Sequence, residues 1–386
     1  MSKKTKYILI LFLCLLLIII YIFWVKKDMS DFGVCYQAGK RIMMGETLYR
    51  AADGHLQYKY SPCSAVFFSL FSLLPQEAAK LIWYALELIL LGIVYVVSYG
   101  LLPHKLKPKG WVIGLSFLVL LKFTAREIEL GQINILIIFL LLMVLVALLK
   151  KKDTGSGVLW GVSLLFKPYA LVFLPYFLLK KRIRVILFGM STVLVGLLLP
   201  SLFYGMRGNI VVLGEWRQSL SLSTSPLLSV YDNASLHAFF LNIVPSENRD
   251  LAWVFILGLA VLTGAAFLWL MGKGKKAGLQ KPEVLEFSYL CILIPLLSPL
   301  GWYYNYLYSL LAVVVLLNDF ESFPSLGKFF LVMNFIVIGA SLREILGKEA
   351  FRFYTGYSLV ALNHLIILFF LFYLRLRQAR IGSHRA

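Results

Sequence analysis

Apolar runs of roughly 15–25 residues recur along the 386-residue chain, separated by short polar joints. The first, 7–25, is unbroken and follows a basic MSKKTK start. It is longer than the core of a cleaved signal, about 7–15 residues, and no small-residue cleavage site follows, so it reads as a retained anchor. A mixed-charge loop, 26–62, comes next, and 34–44 within it is predicted as a short interfacial helix ended by Gly45. The run 63–74 is bracketed by Pro62 and Pro75. As a helix it reaches only about 18 Å, too short for a bilayer core of about 30 Å, and predicts a partial, re-entrant element. Runs at 78–101, 111–124, 133–149, 185–202, 251–271, 284–297, 302–317, 329–346 and 357–374 bring the expected crossings to about ten.

The run 157–179 does not fit a simple crossing. Lys150, Lys151 and Lys152 precede it, and Lys180, Lys181, Arg182 and Arg184 follow, so one crossing would put a basic cluster on each side. Proline disfavours helix in the residue before it and removes a helix hydrogen bond. A hairpin turning at Lys167-Pro168 satisfies both facts. The alternative is one kinked crossing that inverts everything downstream.

Composition agrees with a membrane protein. The chain is 60% hydrophobic with a mean hydropathy of +0.82, against about 45–50% apolar for soluble domains. Lys and Arg number 38 against 19 Asp and Glu, but the basic residues sit in short clusters between apolar runs. That is the positive-inside pattern, and it argues against a nucleic-acid partner. The expectation is an all-α polytopic protein with one integral domain, 1–386, in the plasma (inner) membrane. Both termini are expected to be cytoplasmic. The loops 26–62 and 205–250, which carry loop helices, are expected outside. Four cysteines (14, 35, 63 and 291) form no CxxC, and five histidines show no ligand spacing, so no metal motif appears. Cys35 and Cys63 are a possible pair with little support.

Candidate chemistry lies at the outer ends of the spans. The loop 26–62 holds Asp28, Asp31, Glu46 and Asp53. The joint 124–134 adds Arg126, Glu127, Glu129, Gln132 and Asn134 on the same side. A carboxylate beside a membrane span is solvated or used, and Lys167 within an apolar run needs a partner. The plain alternatives are a capping Asp31, a snorkelling or paired Lys167, and a local ion pair for Arg126.

Four stretches together resemble glycosyltransferase family 87, the polyprenol-phosphate-mannose-dependent mannosyltransferases with the membrane-embedded GT-C architecture. They are DFGVCYQAGKRIMMGETLY (Asp31, Gly45, Tyr49), YKYSP (Tyr58, Tyr60, Pro62), GQIN with FKP (131–134 and 166–168), and NASL with SPLGWYYN (233–236 and 298–305). Family members often carry histidine after the position of Trp302, where this chain has Tyr303 and Tyr304. The resemblance implies an inverting transfer of a sugar, mannose above all, from a polyprenyl-phosphate donor to an extracytoplasmic glycolipid or glycan. Asp31 would be the general base, with Glu127 or Glu129 as alternative bases. Lys167 and Arg126 would hold the donor phosphate. Tyr60, Gln132, Asn134, Asn233, Trp302 and Tyr303 would contact sugar or acceptor. No cofactor is expected, and dependence on a divalent metal is open. Rival classes are a polymerase or ligase of lipid-linked glycans, and a lipid or solute transporter. Acidic residues at the outer ends, rather than deep in several spans, weigh against transport.

Overall fold

The computed structural model describes residues 3–224, 227–228, 230, 232–276 and 279–383. Seventeen α-helices and no strand occur among the described residues, where a lone antiparallel bridge joins Asn233 to Trp302. The first apolar run folds as α1 (Lys3–Phe23), and the loop behind it carries α2 (Ser30–Met43). Asp28 Oδ1 accepts from the Ser30 amide at 3.2 Å and Met29 sits at φ 46°. That start is earlier than the apolar pattern predicts, and it brings Asp31 into the first helical turn, where the dipole favours a carboxylate. Gly45, at φ 66°, follows the end of α2 as expected.

The short apolar run is α3 (Pro62–Ser72), eleven residues packed on α2. A Cβ on Gly39 would lie 2.6 Å from the Phe68 carbonyl, which shows how close the two helices are. The long α4 (Gln76–Leu101) leads away from this end. The chain returns along α5 (Lys109–Leu130) and bends by 118° into α6 (Asn134–Leu149). Gly131 at φ 65° makes that bend, and the Gln132 amide bonds back to the Glu127 carbonyl at 3.0 Å.

Next comes α7 (Asp153–Phe166), which stops at an extended Lys167 before Pro168. A 3-10 stretch, Pro168–Phe173, and α8 (Leu174–Leu179) run back. Arg182 Nη1 lies 3.1 Å from Asp153 Oδ1, so the two ends of the segment meet. Trp160 Nε1 donates to the Ala170 carbonyl at 2.8 Å across it. The segment is therefore a hairpin with Lys167 at its tip.

From there α9 (Ile183–Leu198) runs parallel to α7, and a 97° bend leads into α10 (Ser201–Thr224). With α11 (Leu236–Ile243), much of the expected loop 205–250 is helical. The remaining helices are α12 (Arg249–Lys276), α13 (Pro282–Leu297), α14 (Leu310–Asn318), α15 (Ser325–Ala340), α16 (Arg343–Gly356) and α17 (Val360–Ser383). A 3-10 stretch, Tyr303–Ser309, feeds α14.

By length and composition, three described helices can cross a membrane, or six when each of three bent pairs is one span. The expected ten came from counting apolar residues. Several of those runs fold as helices of 16 residues, as in α6, α9 and α13, about 24 Å long and short of a bilayer core of about 30 Å. Cys35, Cys63 and Cys291 are free thiols, so Cys35 and Cys63 do not pair. The side chain of Cys14 lies outside the described residues.

Candidate active site

The four acids of the first loop separate by partner. Asp28 Oδ2 lies 3.4 Å from Arg126 Nη1, Glu46 pairs with Arg50 at 2.5 Å, and Arg41 grips Asp53 at 2.5 and 2.9 Å. That grip pulls the Asp53 carboxyl below its ordinary value and holds the loop against α2. Asp31 alone has no cation within ion-pair distance among the described residues. It accepts a hydrogen bond from Gln132 Nε2 and faces a cavity of about 330 Å³.

Gln132 is the hub of this cavity, held at the Gly131 bend. Its Nε2 also donates to Tyr304 Oη at 3.1 Å. Its Oε1 accepts from Lys167 Nζ at 3.1 Å and Tyr60 Oη at 3.3 Å. One amide therefore joins the carboxylate on α2 to the ammonium at the hairpin tip. Lys167 also donates to Asn134 Oδ1 at 3.0 Å, and lies over the rings of Tyr60 and Tyr169. Asn134 does not line the cavity. Its Nδ2 donates to Glu127 Oε2 at 2.9 Å, so it forms the layer behind Lys167.

Helix α10 covers the cavity. Trp216 Nε1 donates to the Lys59 carbonyl at 3.1 Å, and Tyr204 Oη to the Glu46 carbonyl at 2.6 Å. The far wall is Ser298–Trp302, where Phe166, Pro168 and Leu300 add apolar surface. The cavity thus combines one carboxylate, the ammonium groups of Lys167 and Lys59, aromatic rings and an apolar flank.

Burial raises the Asp31 carboxyl above its ordinary value. Lys167 and the Gln132 hydrogen bond oppose this, Asp28 adds to it, and Arg126 opposes it. A carboxylate with raised proton affinity is suited to taking a proton from a hydroxyl.

Of the residues singled out by sequence, Asp31, Tyr60, Gln132, Lys167 and Trp302 meet in this cavity. Besides Asn134, five others do not line it. Glu127 is fully buried, with both oxygens accepting from Asn134 N and Nδ2. Glu129 accepts from Arg126 at 2.7 Å and Trp24 Nε1 at 2.9 Å. Arg126 and Tyr303 line a neighbouring cavity, apart from Lys167. Asn233 is a loop latch. Its Nδ2 donates to the Leu228 and Pro299 carbonyls at 2.9 Å, and its Oδ1 accepts from Gly301 N at 3.0 Å. Its NASL stretch carries part of the family resemblance, and an amide there serves a latch as well as a ligand. The pattern missed Tyr304, Trp216 and Tyr169, which do line the cavity. Tyr304 was legible as the second aromatic after Trp302.

Among the described residues no three His, Cys, Asp or Glu side chains gather as metal ligands. Comparison with curated proteins and with solved structures returns no match. The model of glycosyltransferase family 87 matches residues 58–299. That stretch holds Tyr60, Gln132, Lys167 and the roofing helix; Asp31 lies 27 residues before it (58 − 31) and Trp302 three residues after it. It covers more than half of the chain, which therefore belongs to glycosyltransferase family 87.

Proposed function

We propose that this glycosyltransferase moves a single sugar, mannose, from a polyprenyl-phosphate donor to an extracytoplasmic glycolipid or glycan. The observation that carries the reading is the Asp31–Gln132–Lys167 constellation on one cavity with an apolar flank. An acceptor hydroxyl oxygen attacks the anomeric carbon and gives its proton to Asp31. The bond from that carbon to the phosphate oxygen breaks, and the lipid phosphate leaves with the electron pair. Lys167 meets the charge on the leaving phosphate, and Gln132 fixes the carboxylate against the ammonium. Direct attack inverts the anomeric centre and needs no covalent intermediate. Glu127 and Glu129 are already occupied, which supports Asp31 as the base.

The architecture is read as GT-C, a single integral domain in the plasma membrane. Loops 102–110, 150–152 and 180–184 lie at the end away from Asp31 and carry clustered Lys and Arg, supporting cytoplasmic loops and termini with the site outside. Helix α3 and the α7–α8 hairpin are then the two partial elements.

The test is transfer of radiolabelled mannose from polyprenyl-phosphate mannose to membrane lipid extract, with and without a chelator. Wild type transfers, and Asp31→Asn, inserted and folded, does not. Transfer that survives this substitution removes Asp31 as the base. No transfer from any single-sugar lipid donor turns the reading to a polymerase or transporter. Activity lost in chelator places a metal in the reaction.

A further inference from the structure

Two amides, not one, hold Lys167. Its side chain is buried, and no carboxylate stands within ion-pair distance of it among the described residues. Gln132 Oε1 and Asn134 Oδ1 accept from Nζ at 3.1 and 3.0 Å. Each amide turns its nitrogen to a carboxylate: Gln132 Nε2 donates to Asp31, and Asn134 Nδ2 donates to Glu127 Oε2 at 2.9 Å. Two chains of the same kind, carboxylate to amide to ammonium, therefore meet at one lysine. The second is fixed from both ends. Asn134 Oδ1 also accepts from Tyr308 Oη at 3.2 Å, and Asn134 Nδ2 also donates to Asn305 Oδ1 at 3.1 Å.

The two carboxylates differ in what reaches them. Asp31 faces the cavity, whereas Glu127 is fully buried and lines neither that cavity nor its neighbour. Glu127 Oε1 accepts from Asn134 N at 2.7 Å, at the first residue of α6, where the helix dipole favours a negative charge. Both of its oxygens thus accept from N–H groups, the pattern of an ionised carboxylate. Glu87 on α4, whose carboxyl interacts with that of Glu127, has no donor on either oxygen. An ammonium in apolar surroundings needs a counter-charge. Were Asp31 the sole one, each proton it takes from an acceptor would leave Lys167 without any on the protein. Glu127 sits behind Asn134, out of reach of that proton.

We propose that Glu127 is a positioning residue for transfer: through Asn134 it gives Lys167 a counter-charge that stays in place when Asp31 becomes protonated. This rests on the transfer reading above, in which Asp31 is the base and Lys167 meets the leaving phosphate. Glu127 itself touches neither substrate.

The test is the kinetics of purified full-chain variants with polyprenyl-phosphate mannose, read as kcat, donor KM, Tm and the pH profile. Glu127→Gln keeps the shape and removes the charge. Asp31 is then the one carboxylate behind Lys167 and is held ionised more firmly. The acid limb moves to lower pH, and kcat falls about 10–100-fold, the scale of one hydrogen bond to a charged group, while donor KM does not rise. Asp28, Cys35, Lys59, Tyr60, Arg126 and Tyr304 also act on Asp31, and Glu87, Tyr304 and Tyr308 on Glu127. The variant alters none of them, so the shift belongs to Glu127. Glu87→Gln is the control and leaves the limb in place. In the double variant Glu127→Gln/Asn134→Asp the charge moves one step along the chain. The amide at 127 donates to the carboxylate at 134, which meets Lys167 directly, and the unpartnered Nδ2 of Asn305 turns to it. This swap restores kcat and the limb. An acid limb in Glu127→Gln that stays or moves up makes Glu127 structural and overturns the proposal, as does an equal shift in Glu87→Gln. Transfer abolished and not restored by the swap makes Glu127 the base, and overturns it too. Should Glu127→Gln not fold, the swap decides: it must fold and transfer with the wild-type limb, and any other result overturns the proposal. A wild type that moves no sugar fails the transfer reading. Wild-type transfer that is indifferent to Glu127→Gln fails this proposal alone.

Discussion

Asp31 takes up its charge against its surroundings. Burial favours its protonated form more strongly than Lys167, Gln132 and Arg126 favour the ionised one. The sign for activity follows. If Asp31 is the base as proposed, it must be unprotonated to act, so transfer falls on acidification, with an acid limb higher than that of an ordinary aspartate. The sign for stability is opposite. A carboxyl whose pKa is raised by folding adds most stability below its unfolded pKa, and loses that contribution as pH rises through the folded one. Asp31→Asn is therefore expected to cut transfer by about 10²–10⁴-fold, the scale of a lost general base, with Tm at pH 8 unchanged or higher. A clear drop in Tm alongside lost transfer would make the residue structural. Gln132→Leu removes the donor that stabilises the charged form. Its acid limb should move to higher pH, and kcat should fall about 10–100-fold, the worth of one hydrogen bond to a charged group. A limb that stays in place would mean the amide does not hold the carboxylate in solution.

Lys167 is delivered to the site by a packed pair of helices. A Cβ on Gly157 would lie 2.5 Å from the Val185 carbonyl, and one on Gly161 2.5 Å from that of Gly189. The glycines are four residues apart, the small-residue spacing that lets membrane helices approach closely. Gly161→Val forces α7 from α9 at an overpacking cost of about 1–3 kcal/mol, and should lower both Tm and transfer. Gly114→Val is the control, since nothing lies within 4 Å of a Cβ there. Equal effects of the two substitutions would count against the contact. The hairpin was legible because Pro168 and the flanking lysines mark a turn in any chain. The tight α7–α9 contact was not, because the Gly157–Gly161 spacing marks a close helix partner without saying which helix it is. The cover over the site was missed for the opposite reason. Residues 206–224 mix Arg207, Glu215 and Arg217 among apolar positions, and a stretch lying across a bundle end shows neither a span's hydropathy nor a loop's turn residues. The site was legible where one residue type is costly in its place, as with Asp31 and Lys167. Asn233, an amide that satisfies the backbone as well as it would a sugar, gave no such signal.

Over the whole molecule, charge is arranged by end. Helices α5 and α7 run toward Asp31, while α4 and α6 run away from it. The joints at the far end meet one another: the Leu106 amide donates to Asn318 Oδ1 at 2.9 Å, and Lys107 pairs with Glu321 at 2.9 Å. Arg182 meets Asp153 in the same way, with Lys150–Lys152 and Arg184 beside that contact. If the basic end is cytoplasmic, residues 152 and 184 lie on one side and the 45–57 loop on the other. A kinked single crossing would instead place 152 and 184 on opposite sides. Single cysteines at Ala51, Lys152 and Arg184, all exposed positions, on a background without the four native cysteines, separate these arrangements. With a membrane-impermeant maleimide on intact cells, the cysteine at 51 should label. Those at 152 and 184 should label only after permeabilisation. Labelling of 184 but not 152 in intact cells would break the hairpin's sidedness and move the chain after it to the other face. Labelling of both, with 51 protected, would put the Asp31 cavity in the cytoplasm. The donor would then have to be presented from that leaflet.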